Sequence, residues 1–260
     1  MWRVTFIVLF TALGPAAKLR PETAKAFDDY CRYAEVLMQR DQTPPHYLWI
    51  DSHPDDKARV QHGDMVIASE RSASGAGNLK IPGGEVHDWT GTVFIPHGTI
   101  AAARAVMQDY ADYKVIYKPD VIDSRLLSQH GDEFHVFLRL YAKQIVTVVF
   151  NSEYDITYSQ PDPDRMSIRS RSTRIAEVDD PAKSMTVEEP VGEDDGFLWR
   201  INSYWRFEEA DGGLYAQCRA ISLSRGLPFG FGWLRGFIQQ FPKQSMSDTL
   251  AATRRAIAAR

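Results

Sequence analysis

The sequence predicts an α+β protein: a curved antiparallel sheet wrapped around a long C-terminal helix, with an N-terminal helical extension. Three observations predict it. Short alternating segments bounded by turn residues recur from about residue 86 to 224, the pattern of an antiparallel meander. One amphipathic helix interrupts them after the first strand, and helical period returns at the C-terminus. The length of 260 residues suits one domain with an extension and is short for two.

Residues 1–17 are expected to be an export signal: Met1-Trp2-Arg3, an apolar run from Val4 to Leu13, then Gly14-Pro15-Ala16-Ala17. The run is too short to span a bilayer as a helix, so cleavage near Ala16 or Ala17 is expected rather than anchoring. A buried N-terminal strand is the other reading. Export would place the mature protein in a bacterial periplasm or outside the cell.

Residues 18–83 form the extension. Phe27, Tyr30, Cys31, Ala34, Leu37 and Met38 give a helix over 23–41 one apolar face, with Asp28, Asp29, Arg32 and Glu35 largely opposite. It ends before Thr43-Pro44-Pro45, because a residue preceding proline is pushed out of helical geometry. Beyond it the chain is mixed: Tyr47 to Ile50 and Asp64 to Ile67 look strand-like, and Ser69 to Gly77 reads as a loop.

The main domain is read as 84–260. A strand over 86–95 leads through Pro96-His97-Gly98 to a helix with Thr99 as candidate cap and Ile100, Ala103, Met107 and Tyr110 on its apolar face. Strands are expected over 121–128 and 134–141, joined by Gln129-His130-Gly131-Asp132, then over 144–158, 166–178, 197–208 and 214–224. Pro161-Asp162-Pro163-Asp164 and Ala210-Asp211-Gly212-Gly213 supply turns between them. At the C-terminus Phe231, Leu234, Phe237, Ile238 and Phe241 form one helical stripe, and Met246, Leu250, Thr253 and Ile257 a second beyond Pro242.

A net charge of −4 with scattered basic residues excludes nucleic acid as a default partner. The 12% aromatic content suits either an aromatic-lined interior or an ordinary core. Cys31 and Cys218 could pair in an oxidising compartment or remain two buried thiols.

The order of strand, helical pair, six-stranded meander and long C-terminal helix resembles the helix-grip fold. The wording Phe94-Ile95-Pro96-His97-Gly98-Thr99, Met107-Gln108-Asp109-Tyr110 and Tyr117-Lys118-Pro119-Asp120-Val121 is similar to the opening of the START-like (SRPBCC) superfamily, over about residues 84–258. That resemblance implies a cavity between sheet and C-terminal helix. Members bind lipids, sterols, polyketides or plant hormones there, and some are aromatases or cyclases, so fold alone assigns no reaction.

Ser52-His53-Pro54-Asp55-Asp56-Lys57 is similar to the His-Pro-Asp-Asp-Glu signature of zinc-dependent N-acetylglucosaminyl deacetylases, but departs from it at Lys57 and has no downstream His-x-x-His. His130, Asp132 and His135 span a hairpin turn, where alternation sends the two histidines to opposite sides. Neither set is taken as a metal site, and no catalytic residue, metal or cofactor is expected.

Alternation along 197–208 gathers Phe197, Trp199, Ile201, Ser203, Trp205 and Phe207 towards the helix, and turns Arg200, Asn202, Tyr204 and Arg206 to solvent. It also turns Phe134, Val136, Leu138, Leu140, Val146, Val148 and Phe150 inward, and His135 and Arg139 outward. The expected lining is therefore Tyr110, Tyr113, Leu138, Val148, Trp199, Ile201, Ser203, Trp205, Trp233 and Phe237. Arg225 stands at the mouth, either gripping an anionic head group or pairing locally. The aromatic segment 229–233 reads as a gate, a lip in transient contact with a membrane, or a buried helix junction. The expected role is binding of a hydrophobic small molecule or lipid, with transport of that ligand as its extension. The alternatives are a cyclase or aromatase on the same fold, and an interaction module whose core is filled.

Overall fold

The computed structural model describes residues 17–40, 46–69, 81–143, 147–225 and 235–260, with backbone only at 17 and 235–241. The apolar run expected as an export signal and the segment 226–234 lie outside the described residues.

Helix α1 (Pro21–Arg40) is followed by a 3-10 turn (Trp49–Ser52), α2 (Pro54–Gln61) and β2 (Val66–Ser69). The main sheet then enters with β3 (Gly84–Pro96), after which α3 (Ile100–Met107), a 3-10 turn (Tyr110–Asp112) and α4 (Tyr113–Ile116) intervene. Strands β4 (Val121–His130), β5 (Glu133–Lys143), β6 (Thr147–Asp162), β7 (Arg165–Glu177), β9 (Arg200–Ala210) and β10 (Gly213–Arg225) form the meander, and α5 (Arg235–Ala258) closes the chain. Two-residue strands β1 (Ala17–Lys18) and β8 (Glu193–Asp194) pair with each other outside it.

The sheet is antiparallel throughout, in the order β2-β3-β10-β9-β7-β6-β5-β4. Turn chemistry fixes its registers. Asp211 and Gly212 both take positive φ (54° and 76°), the requirement of a two-residue hairpin whose twist matches its strands. Thr99 caps α3, its hydroxyl accepting from the Ala102 N–H at 3.1 Å.

Helix α5 packs on β3, β2 and β10 and on α3 and α4, defining the inner face of the sheet. Its stripe Met246, Leu250, Thr253 and Ile257 is buried, as helical period requires. Gly91 on β3 permits this seat: a Cβ there would stand 2.5 Å from Leu250 Cδ1 and 3.1 Å from Met246 Cγ. The helix continues through Pro242.

The outer face departs from expectation. Asn202, Tyr204 and Arg206 are buried rather than turned to solvent, because α1 and residues 46–51 cover them. Arg206 donates to the carbonyls of Met38 (2.7 Å) and Tyr47 (3.0 Å). Glu35, placed on the polar side of α1 by sequence, accepts from Arg171 and from the Tyr204 hydroxyl at 2.6–2.8 Å. Alternation identifies which residues share a face; what covers that face lies elsewhere in the chain.

Trp199 is a second correction. It precedes the first residue of β9, so strand parity does not hold it, and it packs with Phe27, Val86 and Leu223 on the outer side. Its indole N–H donates to Asp194 at 3.0 Å. Tyr47 to Ile50 is likewise no strand: the Asp51 carboxylate accepts the N–H groups of Tyr47 and Leu48 at 2.9 and 2.7 Å, folding the segment into a turn. Helix α2, unforeseen, buries only Val60 and has little period to show. Cys31 lies in the outer cluster and Cys218 in the inner one, so the sheet itself separates the two free thiols.

Candidate functional site

The inner face divides into a closed part and an open part whose side chains keep partial access. In the closed half Phe134 and Val136 of β5, Met166 and Ile168 of β7, Trp205 and Phe207 of β9, Ala216 and Cys218 of β10, and Val93 of β3 are buried. Further along these five strands on the same face burial falls, whereas on β6, between β5 and β7, Ser152, Phe150 and Val148 stay buried. Leu138 and Leu140 (β5), Ser170 and Ser172 (β7), Ile201 and Ser203 (β9), Ala220 and Ser222 (β10) and Trp89 (β3) keep partial access.

Register aligns four of these residues. Ser170 stands opposite Ser203, Ser203 opposite Ala220, and Ala220 opposite Trp89, four strands deep. Three of these four side chains are too short to reach across the face. Central strands have neighbours on both edges, so these accessible side chains mark a stretch of the inner face that the described residues do not fully cover. Its wall is apolar with a few hydroxyls, the usual lining of a small-molecule site.

The closed half is sealed by tyrosines. Tyr110 and Tyr158 share a hydroxyl–hydroxyl bond at 2.9 Å, and the hydroxyls of Tyr113 and Tyr158 each donate to the Met107 carbonyl at 2.6 Å. The Tyr110 ring tilts against Tyr113 and Phe134, with centroids 5.2 and 5.5 Å away. Burial pushes the hydroxyls of Tyr110, Tyr113 and Tyr158 well above their ordinary value, and that of Tyr117 to about 12. They are neutral core groups at physiological pH.

Of the residues expected to line a cavity, the structure brings Leu138, Ile201 and Ser203 together on the open wall. Val148 packs beside it with Phe150 and Ile175. Tyr110, Tyr113 and Trp205 belong to the closed half, where Trp205 stacks on Phe207. Trp199 is on the outer side. Arg225 follows the outer parity of Ile221 and Leu223, its chain lying over Gly196. Phe237 falls within α5 at a backbone-only position, and Trp233 lies outside the described residues.

Sequence reading turned Leu140 inward but missed Trp89, Ser170, Ser172, Ala220 and Ser222 as open-wall residues. Alternation could have assigned each to a face; only cross-strand register places them in one row. It also missed Glu177. This last residue of β7 stands opposite Phe150, hence on the inner face, and is buried. Its Oε2 has no hydrogen-bond partner. Burial first, then the nearby Asp195 and Asp194, push its carboxyl up to about 8.

The histidine motifs have local roles. His53 stacks on Trp49 with centroids 3.9 Å apart and bonds the Trp49 carbonyl, immediately before α2. His135 lies between Asp155 and Glu153; burial lowers its pKa, and the hydrogen bonds to both carboxylates outweigh this and raise it. Among the described residues no group of three His, Cys, Asp or Glu side chains is placed to hold a metal, and no helix is long and apolar enough to cross a membrane. A solvent-open hollow of about 450 Å³ near His97, Asp164 and Glu209 contains none of the expected lining residues.

No family model and no curated protein matches the sequence. Among solved structures the chain is similar to a STAR-related lipid transfer protein fragment from Xanthomonas axonopodis, at 14% identity and a TM-score of 0.46, over 73% of this chain and 98% of that one. It is similar also to the Zhui aromatase/cyclase from Streptomyces sp. R1128, at 14% identity and 0.44, over 65% and 92%. A third likeness is to the lipid transfer and protein localization domain of human StarD13, at 8% and 0.44, over 81% and 97%. What is shared is the arrangement of sheet and helices. The eight-stranded antiparallel sheet with its C-terminal helix is a helix-grip α+β fold.

Proposed function

We propose that this protein binds a hydrophobic small molecule or lipid in the hollow between the open half of the sheet and its C-terminal segment. One observation carries the reading: Ser170, Ser203, Ala220 and Trp89, register partners across four strands, all keep partial access on the inner face, where other inner-face residues of the same strands are buried. Apolar burial would supply the affinity, at about 25 cal/mol per Å² removed from water. The named functions of the fold neighbours, lipid transfer and aromatase/cyclase, accord with a hydrophobic ligand. A cyclase predicts several ionisable groups converging on the ligand, whereas the described wall presents alkyl groups, serines and Trp89, with Glu177 the one carboxyl beside it among the described residues. Carriage of the ligand between membranes and export through the N-terminal apolar run belong to the same proposal.

The test is titration of the full chain with N-phenyl-1-naphthylamine, a neutral probe that fluoresces in apolar sites, together with native mass spectrometry of protein from its own host. Saturable probe binding displaced by a co-purified molecule is expected. Protein that neither binds the probe nor carries a ligand has a filled core, and the interaction-module reading then replaces this one. N-terminal mass after secretion, against residues 1–17, tests export separately.

A further inference from the structure

Glu177 stands in one row with Leu140 of the open wall, with Phe150 between them, and among the described residues no cation pairs with its carboxyl. Phe150 faces it across the β6–β7 ladder, and Phe150 clusters with Val148 and Ile175, against which Phe197, Leu198 and Ile201 pack. The surroundings are thus apolar. The other charges acting on Glu177 come from Asp195, Asp194 and Glu189, all of its own sign. The Asp195 backbone N–H donates to its carboxyl, and Oε2 is left bare among the described residues. A buried polar atom without a partner costs stability, so in a native fold it wants an explanation.

We propose that Glu177 is the polar anchor of the hollow, and that its ligand is an amphiphile ending in a hydroxyl or an amine, not in a carboxylate or phosphate. This rests on the binding reading above and sharpens it to a ligand class. A hydroxyl or ammonium satisfies Oε2 by donating to it, and the proton that burial favours on this carboxyl makes it a donor to a hydroxyl oxygen as well. An anionic head meets three acidic neighbours in a low-dielectric wall, where like charges repel strongly. Arg225 is the rival anchor, since its Nη2 is also buried and unpartnered. It belongs, however, to the outer parity of β10 and lies over Gly196, away from the open wall.

Displacement of N-phenyl-1-naphthylamine by dodecanol, dodecylamine and dodecanoate at pH 7 decides the matter. Dodecanol and dodecylamine are expected to compete at concentrations about tenfold below dodecanoate, the ratio for one charge-assisted or buried hydrogen bond gained against one repulsion. Glu177→Gln, which keeps shape and hydrogen bonding, should leave dodecanol within about threefold and weaken dodecylamine about tenfold. Glu177→Leu should bring all three competitors within about threefold of one another. The assignment is overturned if dodecanoate leads in the natural protein, or if the order survives Glu177→Leu. Should Arg225→Met, and not Glu177→Leu, abolish the order, Arg225 is the anchor instead. Failure of the probe to bind at all removes the binding reading itself, a different outcome from binding without discrimination.

Discussion

On the outer face of the sheet, polar side chains are sealed by the N-terminal helix in matched pairs; on the inner face, apolar side chains are sealed by the C-terminal helix over only half their extent. Asp88 shows the first regime: its buried carboxylate takes two bonds from Arg219, at 3.0 and 2.7 Å, and one from Tyr30 of α1 at 2.6 Å. The row Ser170, Ser203, Ala220 and Trp89 shows the second, where the side chains keep partial access. The difference assigns roles. A face crossed by paired charges is committed to one partner, because each removed group strands another. A face lined by alkyl groups and hydroxyls accepts occupants of varied shape, since apolar contact is non-directional.

The largest effect that would test this contrast is at Asp88. Its side chain has no accessible surface and that of Arg219 keeps 11%. Asp88→Ala therefore leaves a buried guanidinium without its counter-ion, and should lower unfolding free energy by about 3–5 kcal/mol in urea titrations. A matched Asp88→Leu, Arg219→Met pair should recover most of it, since a well-packed apolar replacement of a buried ion pair is often neutral. A loss below about 1 kcal/mol for the single change would mean that the outer face is a solvated surface, and the contrast between faces would collapse.

The next effect is set by pH. The Glu177 carboxyl binds its proton more tightly in the native state, with a pKa of about 8 against an ordinary 4.5. Its contribution to stability is therefore complete below pH 4.5 and is lost as pH rises towards 8. Asp194, pushed up chiefly by burial, acts in the same direction. Asp51 runs oppositely: burial raises it, but Lys57 and the Leu48 and Tyr47 N–H groups outweigh burial, so its stabilisation disappears as pH falls. Glu177→Gln should remove about 2 kcal/mol of the decline between pH 5 and pH 8.5, measured as the difference in urea stability. An unchanged slope would show that Glu177 is solvated, and the inner wall would then lack its polar end.

The sequence made much of this fold legible because its signals are local. The meander follows from turn residues such as Asp211-Gly212, and the seat of α5 from the stripe Met246, Leu250, Thr253 and Ile257. What escaped is what local signals do not encode. Arg206 and Tyr204 look like solvent residues until α1, over 160 positions away in sequence, supplies Met38 O and Glu35. Ser170 and Ala220 are unremarkable until register sets them one strand either side of Ser203. Trp199 misled because alternation was carried one residue beyond the strand that enforces it.

The smallest predicted effect is also the most direct probe of the hollow, because it uses one substitution at two sites. Ala216 and Ala220 lie on the inner face of β10, four residues apart. Ala216 is fully buried opposite Phe207 and Val93, whereas Ala220, opposite Ser203 and Trp89, keeps access. Leucine at 216 must overpack, and Ala216→Leu should cost about 1–3 kcal/mol. Leucine at 220 enters open space, so Ala220→Leu should change stability by less than about 0.5 kcal/mol. Because that leucine occupies room meant for a ligand, Ala220→Leu should nonetheless weaken probe binding about tenfold, a loss of about 1.4 kcal/mol. Equal costs at the two alanines would show that both halves of the inner face are packed alike, and no space would remain for a ligand to fill.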